Sequence, residues 1–167
     1  DNATFNSYYD EDHDKKVTYK EGVFIGYRHF DKDNREPTFP FGFGLSYTAF
    51  SYKNLKITPQ TVKHGGKISV SLDVTNTGKH AGAEVVQVYI HDLESSVPRP
   101  VKELKGFEKI WLNAGETKAV KIDLDEAALS FFDPSKKVWV AEPGAFEVLV
   151  GSSSRDIRLK QRFALLQ

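Results

Sequence analysis

The sequence predicts an antiparallel β-sandwich, and three observations predict it. From about Thr48 onward, apolar and polar residues alternate at a period of two, the signature of strands with one buried face. Turn signals interrupt these runs at "HGG" (64–66), "NTGKHAG" (76–82), "NAGE" (113–116) and "EPGA" (142–145). Apolar residues make up 40% of the 167, enough for the core of one ordinary domain. About seven short strands with turns at this spacing indicate a sandwich of immunoglobulin or fibronectin type III kind.

The first part of the chain, to about residue 48, is irregular and rich in acids and aromatics. Within it "YKEGVFIGYRHFD" (19–31) holds one apolar run, Val23 to Ile25, with Tyr27 and Phe30 close by. It fits either a short buried strand or the start of a short helix. The next stretch, "FPFGFGLSYTAFSY" (39–52), has six aromatic residues, two glycines and a proline. It is too rich in glycine for a helix and too aromatic for a free linker. Pro40 stiffens its entry, and Gly42 and Gly44 permit tight turns between large rings. Phe50 and Tyr52 open the first strand.

The strands follow in order. "KISVSLDVTN" sets Ile68, Val70, Leu72 and Val74 on one face, and "EVVQVYIHD" sets Val86, Val88 and Ile90 inward. "AVKIDLD" offers Val120, Ile122 and Leu124, and "KVWVAE", "AFEVLVG" and "DIRLKQRFAL" complete the set. One segment breaks the rhythm. "DEAALSFFDP" starts on Asp125, a good N-cap, and stops at Pro134. It reads as a single helical turn crossing between sheets, with Phe131 and Phe132 plugging the end of the core.

Composition excludes several functions. The 23 basic and 23 acidic side chains cancel, and no basic stripe exists, which argues against nucleic acid as a partner. No run of 18 apolar residues is present to span a membrane as a helix. There is no cysteine, so disulfides and cysteine-based metal sites or nucleophiles are absent. That leaves the compartment open. Asn2-Ala3-Thr4 is a glycosylation sequon that matters only in a eukaryotic secretory pathway. There is also no methionine, and with the abrupt polar start this suggests a piece of something longer.

Candidate chemistry is sparse. "DEDHD" (10–14) clusters carboxylates around His13 but sits on no evident rigid element, so it reads as a solvated acidic loop rather than a metal site. "DKDNRE" (31–36) starts like a calcium loop, then places Glu36 where glycine is required and Gly42 where a bidentate glutamate is required. Arg28, His29 and Asp31 lie together beside the apolar run and are the candidates for facing a substrate cleft. The structural alternative is a salt bridge that holds the segment to its neighbours. His64, His80 and His91 fall at turns and strand ends without metal-ligand spacing. No nucleophile elbow, P-loop or dinucleotide fingerprint occurs, and no cofactor or metal is implied.

Specific words carry more. "YKEGVFIGYRHFD" and "PTFPFGFGLSYTAFSYKNL", followed in order by "VTNTGKHAGAEVVQVYI", "RPVKELKGFEKIWLNAGE", "LSFFD" and "WVAEPGAFEVLVGSSSRDIRL", resemble the C-terminal part of family 3 glycoside hydrolases, the β-glucosidase family. The resemblance implies a barrel domain, an α/β sandwich domain and then a fibronectin type III-like domain. It implies that residues 1–48 are the tail of the α/β domain and its linker, and that 49–167 are the third domain. The nucleophile would sit in the barrel and the acid/base in the α/β domain, so no catalytic residue is expected here. The retaining reaction needs two carboxylates about 5–5.5 Å apart, and the acids of this chain offer no convincing pair. Phe39, Phe41, Phe43, Tyr47 and Phe50 are then expected to pack between domains. The expected partner is the N-terminal remainder of the same enzyme, through which a β-glucoside substrate is met. A stand-alone carbohydrate-binding or adhesion module is the alternative, with Tyr89 and Trp111 the residues to inspect.

Overall fold

The computed structural model describes residues 15–16 and 18–167, and the acidic "DEDHD" run and the Asn2 sequon lie outside them. Among the described residues one short helix, α1 (Tyr27–Lys32), precedes ten strands: β1 (Phe50–Thr58), β2 (Thr61–Lys63), β3 (Lys67–Asn76), β4 (Gly82–Asp92), β5 (Glu103–Leu112), β6 (Thr117–Asp125), β7 (Phe131–Asp133), β8 (Val138–Val140), β9 (Gly144–Gly151) and β10 (Ile157–Leu166). They form a three-stranded sheet β1-β3-β6, a five-stranded sheet β2-β10-β9-β4-β5 and a small β7-β8 hairpin. All pairs are antiparallel except β2 with β10.

The alternating residues fill the space between the two larger sheets as the period of two requires. From the three-stranded sheet come Ile68, Val70, Leu72 and Val74 with Val120, Ile122 and Leu124. From the five-stranded sheet come Val86, Val88, Ile90, Phe146, Val148, Val150, Phe163 and Leu165. Phe146 stacks on Phe163 with ring centroids 5.5 Å apart. Each fully buried apolar side chain of this size contributes about 1.5–3 kcal/mol by leaving water.

Four expectations are corrected or narrowed. Among the described residues the strands number ten rather than about seven, because β2 and β7 are only three residues long and β5 carries no clean alternation. β5 is the instructive case. It is an edge strand with Phe107, Glu108 and Lys109 all exposed. Lys105 bulges where Val88 pairs Gly106 and Tyr89 pairs Leu104. Gly106 lies where β5 crosses β6, and a Cβ there would meet Ile122 Cγ2 at 2.7 Å. Second, the break after β6 is only a 3-10 turn, Glu126–Ala128, capped by the Asp125 carboxylate accepting from Ala127 N–H at 3.1 Å. The chain extends again at once into β7, so Phe131 is buried and Phe132 points to solvent. Third, of the two readings of 19–31 the short helix is found and the buried strand is not, since Val23 and Ile25 are about half exposed. The helix starts only after Gly26, whose φ is 56°. Finally, Gly42 has φ 79° while Gly44 has no positive φ, so only the first of these two glycines is required by its turn.

Candidate functional site: a segment docked on the outer sheet face

The outer face of the five-stranded sheet is not left to water. Every residue of β4 from Val86 to Ile90 is buried, so both faces of this strand are covered. On the inner face that is the core. On the outer face Tyr89 is wholly buried outside the core cluster, and the cover is the segment from α1 to Gly44.

Aromatic contacts make the centre of this seam. Tyr27 stacks on Phe41 at 4.9 Å and meets Tyr89 edge-on at 6.0 Å. The Tyr27 hydroxyl accepts from Leu104 N–H at 2.9 Å. Tyr89 Oη donates to Gln87 Oε1 at 2.6 Å, and burial, then Tyr27 and the Asp31 charge, push the Tyr89 hydroxyl pKa up, so it stays a donor. Gln87 Nε2 in turn donates to the carbonyls of Gly42 at 3.1 Å and Ser152 at 2.5 Å. Gly42 sits in a turn closed by Phe43 N–H donating to Pro40 C=O at 3.0 Å, and its missing Cβ is what lets Gln87 reach it.

Charges fix the edges. The Asp31 carboxylate, 2% exposed, accepts from Lys102 Nζ at 2.6 Å and lies 3.4 Å from Arg155 Nε. Arg155 also donates to the carbonyls of Phe30 (3.2 Å) and Arg35, and Ser154 N–H donates to Phe41 C=O at 2.8 Å. Arg28 pairs with Glu103 at 3.1 Å. Glu103 also takes Arg99 at 2.7 Å, and Arg99 reaches Asp92 at 2.9 Å and the Leu129 carbonyl. Burial by itself would raise the Glu103 carboxyl, but the Arg99 hydrogen bond and the charges of Lys105, Arg99 and Arg28 outweigh it and hold it low. A cleft of about 210 Å³ remains between α1, Phe39, Phe41 and Arg155.

The three cleft candidates thus have distinct surroundings. Arg28 and Asp31 bind the sandwich, and His29 faces Asp33 of its own segment at 3.8 Å. Only Asp31 lines the cleft, with its carboxylate held between two cations. Of the aromatic candidates, Phe39, Phe41, Phe43 and Tyr47 are 71%, 48%, 46% and 96% exposed, whereas Phe50 packs against the core. Leu45, 91% exposed, joins the same apolar surface. Among the described residues no group of three His, Asp or Glu side chains is arranged to hold a metal.

Sequence reasoning missed Asn76. It is fully buried and ties four places together. Its side chain accepts from Thr48 Oγ1 (2.6 Å) and Gly78 N–H (3.0 Å) and donates to the carbonyls of His80 (2.8 Å) and Leu112 (3.1 Å). The end of the aromatic stretch is thereby pinned to β3, β5 and the following turn. The signal was present in "VTNTG", an asparagine at the end of an apolar strand just before a glycine turn. Nearby, Arg158 crosses the ring of Tyr52 at 4.6 Å and donates to Phe50 C=O at 2.8 Å, fixing the start of β1 to β10.

Fold and seam together define a fibronectin type III-like sandwich that carries its own preceding segment on one sheet face. The comparisons say where such a unit occurs. The fibronectin type III-like domain family matches residues 84–154. Thermostable beta-glucosidase B of Acetivibrio thermocellus is 51% identical over 89% of this chain, and beta-glucosidase BoGH3A of Bacteroides ovatus is 49% identical over 89%. Each match spans 20% of the relative, so the chain covers about a fifth of the length of these proteins. Among solved structures, beta-glucosidase 3B of Thermotoga neapolitana in complex with alpha-D-glucose superposes with TM-score 0.85 at 40% identity, over 96% of this chain and 22% of that one. Beta-glucosidase of Kluyveromyces marxianus in complex with glucose superposes with TM-score 0.83 at 47% identity, over 90% and 18%. The chain is thus similar in sequence and fold to the C-terminal, fibronectin type III-like portion of these β-glucosidases.

Proposed function

We propose that this chain is the C-terminal structural part of a retaining β-glucosidase that hydrolyses terminal β-D-glucosidic bonds in glucosides or oligosaccharides, and that it carries neither catalytic carboxylate. The observation that supports it most is the apolar surface Phe39, Phe41, Phe43, Leu45 and Tyr47, exposed on a segment whose other side is fixed to the sandwich. Its relatives are large enzymes in which this domain joins others, and such a surface suits burial against the preceding domain. In that setting a carboxylate elsewhere attacks the anomeric carbon and an acid protonates the leaving oxygen. Water then resolves the glycosyl-enzyme. The share of this chain is geometric: it holds the preceding domain, and with it the acid/base, in place. A displacement of about 1 Å can cost on the order of 100-fold in rate.

The test uses an aryl β-glucoside. The 167-residue chain alone should show no turnover, and adding it to the separately produced remainder of the enzyme should restore activity together with a stable complex. Enzyme-like turnover by the chain alone would overturn the assignment, as would a remainder that is fully active and ignores the chain.

One observation favours a second reading, a carbohydrate-binding module. Phe107 and Trp111, 68% and 59% exposed, lie on the same outward side of β5, opposite Gln87 and Ala83. Tyr89 is excluded from such a platform by its burial. Retardation of the chain in a β-glucan gel, lost in Trp111→Ala, would support this reading.

A further inference from the structure

We propose that Asp31 is a positioning residue that makes residues 26–44 one rigid body with the sandwich, so that movement relative to whatever precedes is confined to Gly22–Gly26. For its consequence in catalysis this rests on the function proposed above; the lock itself does not.

Two stretches far apart in sequence converge on α1. "RPVKELK" (99–105) gives it Lys102 for Asp31, Glu103 for Arg28 and the Leu104 N–H for the Tyr27 hydroxyl. "SSSR" (152–155) gives it Arg155 for Asp31 and for the Phe30 carbonyl, and Ser154 N–H for the Phe41 carbonyl. Among the described residues, Asp31 is the one side chain that both stretches grip. Its carboxylate is 2% exposed and its Lys102 partner 9%, so breaking the pair strands a buried charge. Beyond Phe41 the Gln87 amide and the Asn76 hub continue the attachment to β1. N-terminal to α1 the character changes. Gly22 and Gly26 both have φ of 56°, Val23 and Ile25 are half exposed, and α1 has no side-chain N-cap. The flex point of the joint therefore lies before α1, and the aromatic stretch after it is a fixed surface.

Limited trypsin digestion read by mass spectrometry tests this, because cleavage reports local opening. The chain offers a bond after Lys20 on one side of the expected flex point and bonds after Arg28, Lys32 and Arg35 on the other. Cleavage after Lys20 should be at least about tenfold faster than after Arg35. Asp31→Asn should speed cleavage after Arg35 by at least about tenfold while the strands from residue 50 onward stay uncut. Should Asp31→Asn fail to fold, Arg155→Gln carries the same expectation. Equal cleavage after Lys20 and Arg35 in the native chain, or an unchanged pattern in both variants, overturns the lock. In the complete enzyme Asp31→Asn should lower kcat by about tenfold or more with KM changed by less than about threefold, and Asp31→Glu should recover part of it. Accelerated cleavage with unchanged kcat overturns the positioning role. A complete wild-type protein with no glucosidase activity would sink the proposed function and leave the lock standing.

Discussion

The sandwich core and the docked segment are held by different physics. Between the sheets nearly every contact is apolar, made by residues two apart on neighbouring strands, such as Val70, Leu72, Val86 and Val148. On the outer face the attachment of residues 26–44 is polar and aromatic: one buried carboxylate between two cations, a tyrosine stack and a glutamine bridging two carbonyls. The core tolerates exchange among apolar residues of similar volume. The seam does not, because its polar groups are tied to particular partners at fixed distances, and a buried polar group without its partner is costly. An attachment made this way is specific at the expense of robustness.

The comparison can be broken first in the core. Phe146→Ala, at a site with no exposure, should cost about 3–5 kcal/mol of global stability by calorimetry, and the whole chain should lose it cooperatively. A loss confined to residues 26–44 would mean the two regions are not separable in this way. Next comes the boundary between them. Asn76→Ala leaves two carbonyls and two donors without their partner and should cost about 2–3 kcal/mol. A cost below about 0.5 kcal/mol would show that water replaces the hub. Within the seam, Gly42→Ala puts a side chain at positive φ and against Gln87, and should cost about 1–2 kcal/mol. Hydrogen exchange should show that loss as faster opening of residues 26–44 with strand amides unchanged.

The finest distinction is in pH. In the seam Glu103 is held below its ordinary value of 4.5, so it stabilises the fold at neutral pH and that contribution is lost as pH falls through the folded value. Beside the core Glu84, which accepts from Tyr52 Oη at 2.8 Å, is raised, chiefly by burial, against the opposing Tyr52 hydrogen bond and Arg158 charge. Its sign is opposite: stability is lost as pH rises from 4.5 through the folded value. Glu103→Gln should therefore flatten the acid limb of the stability profile. Glu84→Gln should remove a decline on the side toward neutrality. The same slope change from both variants would contradict these environments.

The two regions also differ in how far the sequence discloses them. The alternation in β3, β4, β6 and β9 was legible because each strand has one face toward the core, and the inward residues are those the pattern marks. β5 was not legible, since an edge strand with a bulge at Lys105 and a glycine at the sheet crossing has no clean period. In the seam, Asp31 and Arg28 stood out as charges beside apolar residues, and the aromatic run stood out by composition. Their partners Lys102, Glu103 and Arg155 lie more than 70 residues away, and no local pattern connects them. Tyr89 read as a possible exposed platform because strand alternation places it outward. Only the docked segment makes that outward face an interior.

The central claim is that residues 26–44 belong to the folded sandwich and are more than a tether to another domain. Thermal unfolding of a chain beginning at Ser46, which keeps the Thr48–Asn76 contact, tests it most directly against the 167-residue chain. The account predicts a fall in Tm of about 10 °C, the scale of a few kcal/mol in a domain of this size, with Tyr89 newly accessible to solvent. An unchanged Tm, with Tyr89 as protected as before, would contradict it.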